Sequence, residues 1–303
     1  MALDLTGQPL IDQLNFDQLL ASGAFGAWSE QAQTLHRDGY CILQPRSDTF
    51  QAMIEAVVND LEPLLAEPLM RWESGEEGPP RIQDGWLQHH SVRALALEPD
   101  VLALLAQLYG RQPFAFQTLN FAVGSEQHFH SDAVHFHSYP HGFMCGVWFA
   151  LQDIEIESGP LHYFPGSHRL PYLSAHALGL TPDAIKTEAH PQTLFESHWR
   201  EAVTARGFRQ ERFLARRGDV LVWHANLLHG GEQVLNRKLR RWSQVVHYFF
   251  ADCLYTTPMR NFGSGQGGAF LRNPYDLATG TCRYSPAAWR ELGFTPLTSA
   301  SHS

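Results

Sequence analysis

The chain has 303 residues, 44% of them apolar, and a formal net charge of −9. With no basic run, that balance argues against a nucleic-acid partner, whose phosphates demand clustered Lys and Arg. The longest apolar run, Phe143 to Leu151, is far too short to span a bilayer. No repeat or low-complexity tract divides the sequence, so one domain over residues 1–303 is expected. Four scattered cysteines (Cys41, Cys145, Cys253, Cys282) show no Cys-x-x-Cys spacing, which points to a reduced compartment. The start, Met1-Ala2-Leu3-Asp4, lacks the charged and apolar regions of a signal peptide. A cytoplasmic location is expected, no membrane association is expected, and nothing in the sequence sets an oligomeric state.

In chain order, Ser29 to Arg37 reads as a helix that stops at Gly39 and runs into a strand, Tyr40 to Leu43. The His36-Arg37-Asp38 tripeptide marks that stop and has no metal role. Phe50 to Glu67 and Pro99 to Tyr109 read as amphipathic helices, with Glu73–Pro80 between them as the best mobile loop and a possible lid. Together these make a helical brace over about 1–110.

The run Phe121 to Asp132 ends in alternating polar residues and reads as a strand. In a strand, residues two apart share a face and lie ~6.6–7 Å apart. His130 and Asp132 can then lean onto one ion at ~2.0–2.2 Å, with Phe129 and Ser131 facing away. Two imidazoles and one carboxylate are the ligand set of a facial triad that holds Fe(II). Directly after it, the His- and aromatic-rich loop Val134 to Met144 offers His135, His137, Tyr139 and His141 as groups for a polar substrate. The alternative is a loop that packs its aromatics and bonds its imidazoles locally.

Tyr172 to Arg212 has little strand character, and Thr181-Pro182-Asp183 is a helix start, so a helical insert over about 172–212 is expected to cover the mouth of the core. Gly218-Asp219 is a turn before a buried strand, Val220 to Trp223. His224 and His229 then compete as the third ligand. His229 is preferred because it opens the next strand, where Gly230 and Gly231 let a bound molecule approach the backbone. Arg241 to Phe249 is an apolar strand with an arginine at its mouth. Arg241 and Ser243 share a face and form a fork plus a hydroxyl suited to a carboxylate; the alternative is a solvated Arg240-Arg241 pair. From Thr256 onward a Gly-, Asn- and Pro-rich wrap (256–303) holds a short helix near Pro286 to Leu292.

Four blocks together resemble the phytanoyl-CoA dioxygenase family of Fe(II)- and 2-oxoglutarate-dependent oxygenases. They are His36 to Leu43, His130-Ser131-Asp132, Val147 to His168, and Gly218 through His229 to Arg241-x-Ser243. They span roughly residues 30 to 250 in the family's order. The resemblance implies a mainly β fold with flanking helices, whose core, about 111–255, is a double-stranded β-helix (a cupin-like jelly-roll). It implies His130, Asp132 and His229 as iron ligands. The family's 2-oxoglutarate arginine falls on Arg240 by distance from the last His and on Arg241 by strand match; Arg241-x-Ser243 favours the latter. Trp148 matches a position lining the 2-oxoglutarate site, and Arg81 lies in a short match to a lid segment.

The chain has Ser158-Gly159-Pro160 where Asn-Gly-Pro is usual, a change confined to a turn, and Gly231 where some members carry a hydroxyl near the co-substrate. Asp132 stands where related halogenases carry Ala or Gly, which favours hydroxylation, desaturation or ring closure. The implied activity is oxidation of an unactivated C–H in a small-molecule metabolite by O2, with 2-oxoglutarate decarboxylated to succinate. Two other readings stand beside it: a cupin-like metal-dependent hydrolase or isomerase, and a non-catalytic binding barrel. The Arg241-x-Ser243 pair weighs against the first, and the complete ligand set against the second.

Overall fold

The computed structural model describes residues 3–263 and 270–291. Two short helices, α1 (Phe16–Ala21) and α2 (Ser29–Asp38), open the brace. Gly39 then takes φ 85°, the left-handed conformation that closes a helix cheaply, and delivers the chain into β1 (Tyr40–Leu43). Helix α3 (Phe50–Ser74) runs through Pro63 and Pro68, past its expected end at Glu67. Its buried residues recur every three or four positions from Phe50 to Trp72, and packing that unbroken stripe outweighs two missing amide donors. After β2 (Arg81–Gln83) come α4 (His90–Ala96) and α5 (Pro99–Tyr109). The last has the expected bounds, and the Glu98 carboxylate caps it by accepting from the Val101 amide at 2.8 Å.

The core strands are β3 (Pro113–Phe121), β4 (His137–Tyr139), β5 (Met144–Ala150) and β6 (Leu161–Tyr163). Helices α6 (Pro182–Thr187) and α7 (Thr193–Arg206) follow in the insert, with the Thr181 hydroxyl capping α6. Then come β7 (Glu211–Phe213), β8 (Val220–His224), β9 (His229–Gly231), β10 (Ser243–Phe250) and β11 (Leu254–Thr256). A strand β12 (Leu271–Arg272), a ribbon of β13 (Tyr275–Asp276) with β14 (Thr281–Cys282), and α8 (Pro286–Glu291) complete the described chain. Positions 264–269 and 292–303 of the expected wrap, including Leu292, lie outside the described residues.

Strands β1-β8-β5-β10-β3-β2 form an antiparallel six-stranded sheet, β7-β6-β9 a second sheet, and β12-β11-β4 a third. Side-chain alternation divides the large sheet's burial. Val147, Phe149, Val222 and Val246 pack with the helices, while Trp148, Ala150, Leu221, Trp223 and Val245 pack against Leu161, Tyr163 and Phe213 of the second sheet. The result is an open jelly-roll with no closed barrel. No helix among the described residues is long and apolar enough to cross a membrane.

Two strand expectations change. The run to Asp132 is not one strand: β3 stops at Phe121, and Asp132 opens a short 3-10 turn, Asp132–Val134. The Arg81 segment, expected as part of a lid, is an edge strand with Arg81 opposite Phe121, and Glu73, expected to open the preceding loop, lies in the last turn of α3 with its carboxylate tied to Arg240 at 2.7 Å.

Gly146 lies opposite Trp223 on β8, and a Cβ there would overlap the indole ring. Gly146→Ala is therefore expected to destabilise the fold by about 1–3 kcal/mol, the range for overpacking, read as a lower urea midpoint at unchanged slope. An unaltered midpoint would mean that the indole moves freely.

Candidate metal centre and its cavity

His130 and His229 exchange both backbone bonds, N–H to O=C, at 2.9 and 3.0 Å, which adds one residue to the edge of the second sheet. Each imidazole then donates from Nδ1 to the carbonyl two residues earlier: His130 to His128 and His229 to Leu227, both at 2.9 Å. With the proton held on Nδ1, each Nε2 offers a lone pair. Ser131 is extended and its hydroxyl points away, 2.8 Å from Asn226 Oδ1. One extended residue followed by the turn brings the Asp132 carboxylate 3.5 Å from His130 Nε2 and 3.7 Å from His229 Nε2. Among the described residues, His130, Asp132 and His229 are the one group of three such side chains whose ligand atoms lie within 4.8 Å of one another.

All three residues are buried. Burial by itself pushes the Asp132 carboxyl up, but the facing His229 and His247 imidazoles hold it well below the usual carboxylate range. Burial pushes His229 down to about 4 against the pull of Asp132. A deprotonated carboxylate beside an unprotonated imidazole is the donor state that a divalent cation needs.

Sequence reasoning missed two partners of Asp132 Oδ2. Trp223 donates from Nε1 at 2.8 Å, and His247 Nε2 lies 3.3 Å away. The signal for the second was on the page: a lone imidazole inside the apolar run Val245 to Phe250.

A cavity of about 310 Å³ opens beside these groups. Arg241 lines it, almost fully buried, with its Cζ 5.5 Å over the Trp148 ring. Among the described residues its Nε and Nη1 have no hydrogen-bond partner, and burial pushes the guanidinium down to about 10. The Ser243 hydroxyl is also buried and unpartnered. Arg240 points the other way and pairs with Glu73 outside the cavity. Arg81 sits exposed at the cavity rim.

His135 lines the cavity, with its Nε2 3.0 Å from Gln192 Oε1 of the insert and its ring 6.3 Å from His130. His137 and Tyr139, expected beside the metal, do not line it. The turn at Asp132–Val134 leaves only His135 and Phe136 there, and β4 then runs along β11. His137 instead lies 2.5 Å from His141 Nδ1, and Tyr139 is half-exposed. His141 lines a separate cavity of about 280 Å³ with Tyr172, His168, Asp12 and His224. His224 accepts from the Asn226 amide at Nδ1 and faces Asp12, away from the metal centre. Gly230 and Gly231 line the cavity, and they also allow a close approach by the chain itself. A Cβ on Gly230 would lie 2.7 Å from the Gln127 carbonyl, and one on Gly231 would meet the Ser125 hydroxyl.

Burial also pushes His135 to about 4 and His137 and His168 to about 3, all from an ordinary 6.5. Folded-state values below the unfolded ones mean that the unfolded chain binds more protons in between, so stability falls as pH drops. The urea midpoint of metal-free protein should decline from pH 7 toward pH 4, the interval spanned by these histidines and His229. A midpoint flat across that interval would contradict the neutral, buried assignment.

Comparison with known proteins adds the following. Mouse phytanoyl-CoA dioxygenase domain-containing protein 1 is 26% identical over 152 residues, covering 46% of this chain and 47% of that protein. The chain thus spans about half the length of the curated relatives that head its matches. EctD from S. alaskensis, solved with 2-oxoglutarate and 5-hydroxyectoine, is similar at TM-score 0.56 and 19% identity, covering 96% of this chain and 93% of that one. The non-heme alpha ketoglutarate dependent carbocyclase SnoK from nogalamycin biosynthesis is similar at TM-score 0.57 and 20% identity, covering 78% and 89%. Both likenesses are to the fold. Residues 35–242 match the phytanoyl-CoA dioxygenase (PhyH) family, and the chain belongs to that family.

Proposed function

We propose that this protein is a cytoplasmic Fe(II)- and 2-oxoglutarate-dependent dioxygenase, a single domain that hydroxylates a small metabolite with release of succinate. The observation that carries this reading is a buried guanidinium without a counter-ion in the same cavity as a His/Asp/His group. An unpaired buried charge is costly, and the far carboxylate of 2-oxoglutarate supplies what Arg241 lacks, in bidentate form. The Ser243 hydroxyl, two residues on, is placed to add a bond. His130, Asp132 and His229 would hold the iron, which when bound supplies the oxidising power for the C–H bond.

The chain's own residues do the rest. Trp148, Leu119, Phe121, Leu161 and Val245 give the cavity an apolar wall that excludes water around the co-substrate. Gln117, Gln127, Gln192 and His135 supply hydrogen-bonding groups, and Asp132 is the one carboxylate in the wall. A neutral or anionic substrate fits that inventory better than a cation. Arg81 at the rim favours the anionic end of that range. Ring closure by the same chemistry is the second reading, favoured by the likeness to a carbocyclase. A metal-dependent hydrolase has no use for the orphaned Arg241. Four cysteines without a disulfide among them, three of them buried, fit a reducing compartment.

Anaerobic titration with Fe(II) and then 2-oxoglutarate is the test, read from the visible charge-transfer band of the chelated keto-acid. Asp132→Ala should abolish the band. Arg241→Ala should weaken 2-oxoglutarate binding about a hundredfold, ~3 kcal/mol, as expected for removing one partner of a buried charge pair. Arg240→Ala should leave it within about twofold, the scale of a surface pair. A parent protein with no band would sink the proposal, and an Arg241→Ala variant of unchanged affinity would remove Arg241 as the anchor.

A further inference from the structure

His247 is the one titratable imidazole between Val245 and Phe250 on β10, and it is buried. The register of β10 against β3 slips between His247 and Tyr248, an irregularity of the kind that re-aims side chains beside active sites. Here it coincides with an imidazole that touches two walls of the cavity. His247 Nε2 lies 3.3 Å from Asp132 Oδ2, and Nδ1 lies 2.9 Å from Gln117 Oε1. Phe136 and Phe116 flank the ring, with centroids 5.1 and 6.1 Å away, and both His247 and Gln117 line the cavity.

The hydrogen-bonding roles follow from the carboxylate. An ionised Asp132 accepts and cannot donate, so contact at Oδ2 requires N–H on His247 Nε2. A neutral ring protonated there has Nδ1 as an acceptor, which takes an N–H from Gln117. The structure sets Oε1 at Nδ1, and the two ends of that amide are nearly isosteric, so this role requires the amide turned end for end, with Oε1 toward the cavity. Oδ2 is served twice, by His247 and by the Trp223 indole, and lies 3.7 Å from His229 Nε2, while Oδ1 faces His130 at 3.5 Å. Two donors on one oxygen fix the carboxylate's rotation and hold Oδ1 toward His130. Trp223 alone fixes a point; the pair fixes a plane.

We propose that His247 is a positioning residue for the metal centre: with Trp223 it orients Asp132, and through Gln117 it couples that orientation to the substrate-facing wall. The inference rests on the metal reading given above and assigns a role to a residue outside the ligand set.

The test is Fe(II) affinity, measured anaerobically without substrate, together with the position of the charge-transfer band after 2-oxoglutarate. His247→Phe keeps the ring and removes the N–H; it should weaken Fe(II) binding 10- to 100-fold, the usual cost of losing a partner of a ligand, and shift the band. His247→Gln restores a donor and should recover most of both. Gln117→Leu should give a smaller loss of the same kind. Circular dichroism of the metal-free variants checks that they are folded. The proposal falls if His247→Phe binds Fe(II) like the parent with an unshifted band, or if folded His247→Gln is no better than His247→Phe, which would mark a packing role. A parent that binds no Fe(II) would overturn this inference together with the metal reading, whereas a normal parent with an unaffected His247→Phe would overturn this inference alone.

Discussion

The reciprocal backbone pair between His130 and His229 is the contact on which the rest of the site depends. Each imidazole is anchored to its own chain by a bond from Nδ1 to the carbonyl two residues back. The relative placement of the rings, 4.7 Å between centroids, is therefore set by the two amide–carbonyl bonds that join the segments. Those bonds are held in turn by ordinary sheet chemistry. His229 pairs with Tyr163 across β6 and β9, and Phe129 packs on Phe164 at 4.8 Å. At Gly230 the absence of a side chain lets residues 127–129 lie against the strand. The placement of the two imidazoles is thus inherited from strand pairing, while the Asp132–Val134 turn sets the carboxylate beside them.

Around this contact the protein concentrates polar groups that its packing leaves short of partners. Among the described residues, Arg241 is buried with two free nitrogens and Ser243 with a free hydroxyl, beside an Asp132 carboxylate that is buried with its donors. Removing a single ion from water costs several kcal/mol after relaxation, and a lost hydrogen bond about 1–3 kcal/mol. These costs are carried by the apolar layers on both sides of the six-stranded sheet, where helices pack on one face and the second sheet on the other. Under the proposed function, binding a dication and a dianion at these positions would offset what folding leaves unsatisfied.

Much of this was legible in the sequence because the signals were local. Helix α5, the Gly39 stop and the Val220 to Trp223 strand follow from periodicity and turn residues, and Arg241 was separated from Arg240 by strand alternation. The Asp132 turn was not legible, since alternating polar residues also occur in coil; the same turn carries His137 and Tyr139 out of the cavity and along β11. Helix α3 overran its expected end because tertiary burial decided what proline propensity alone could not. His247 was hidden by its neighbours: a lone imidazole in an apolar run reads as core until its partners, Asp132 and Gln117, are brought beside it by β3 and the turn. What stayed illegible depends on contacts between residues distant in the chain.

Gly146 and Trp223 face each other across β5 and β8, and the indole fills the space that a side chain at 146 would need. That indole also bonds Asp132, so the smallest residue in the sheet is tied to the chemistry through its neighbour's volume. The two positions are consequently not free to drift independently. A lineage that shrinks the residue at 223 opens room at 146 and loses a donor on the carboxylate, while one that enlarges 146 must first give up the indole. That geometry makes paired exchange, with a donor to Asp132 supplied from elsewhere, the expected route of divergence at this point of the sheet.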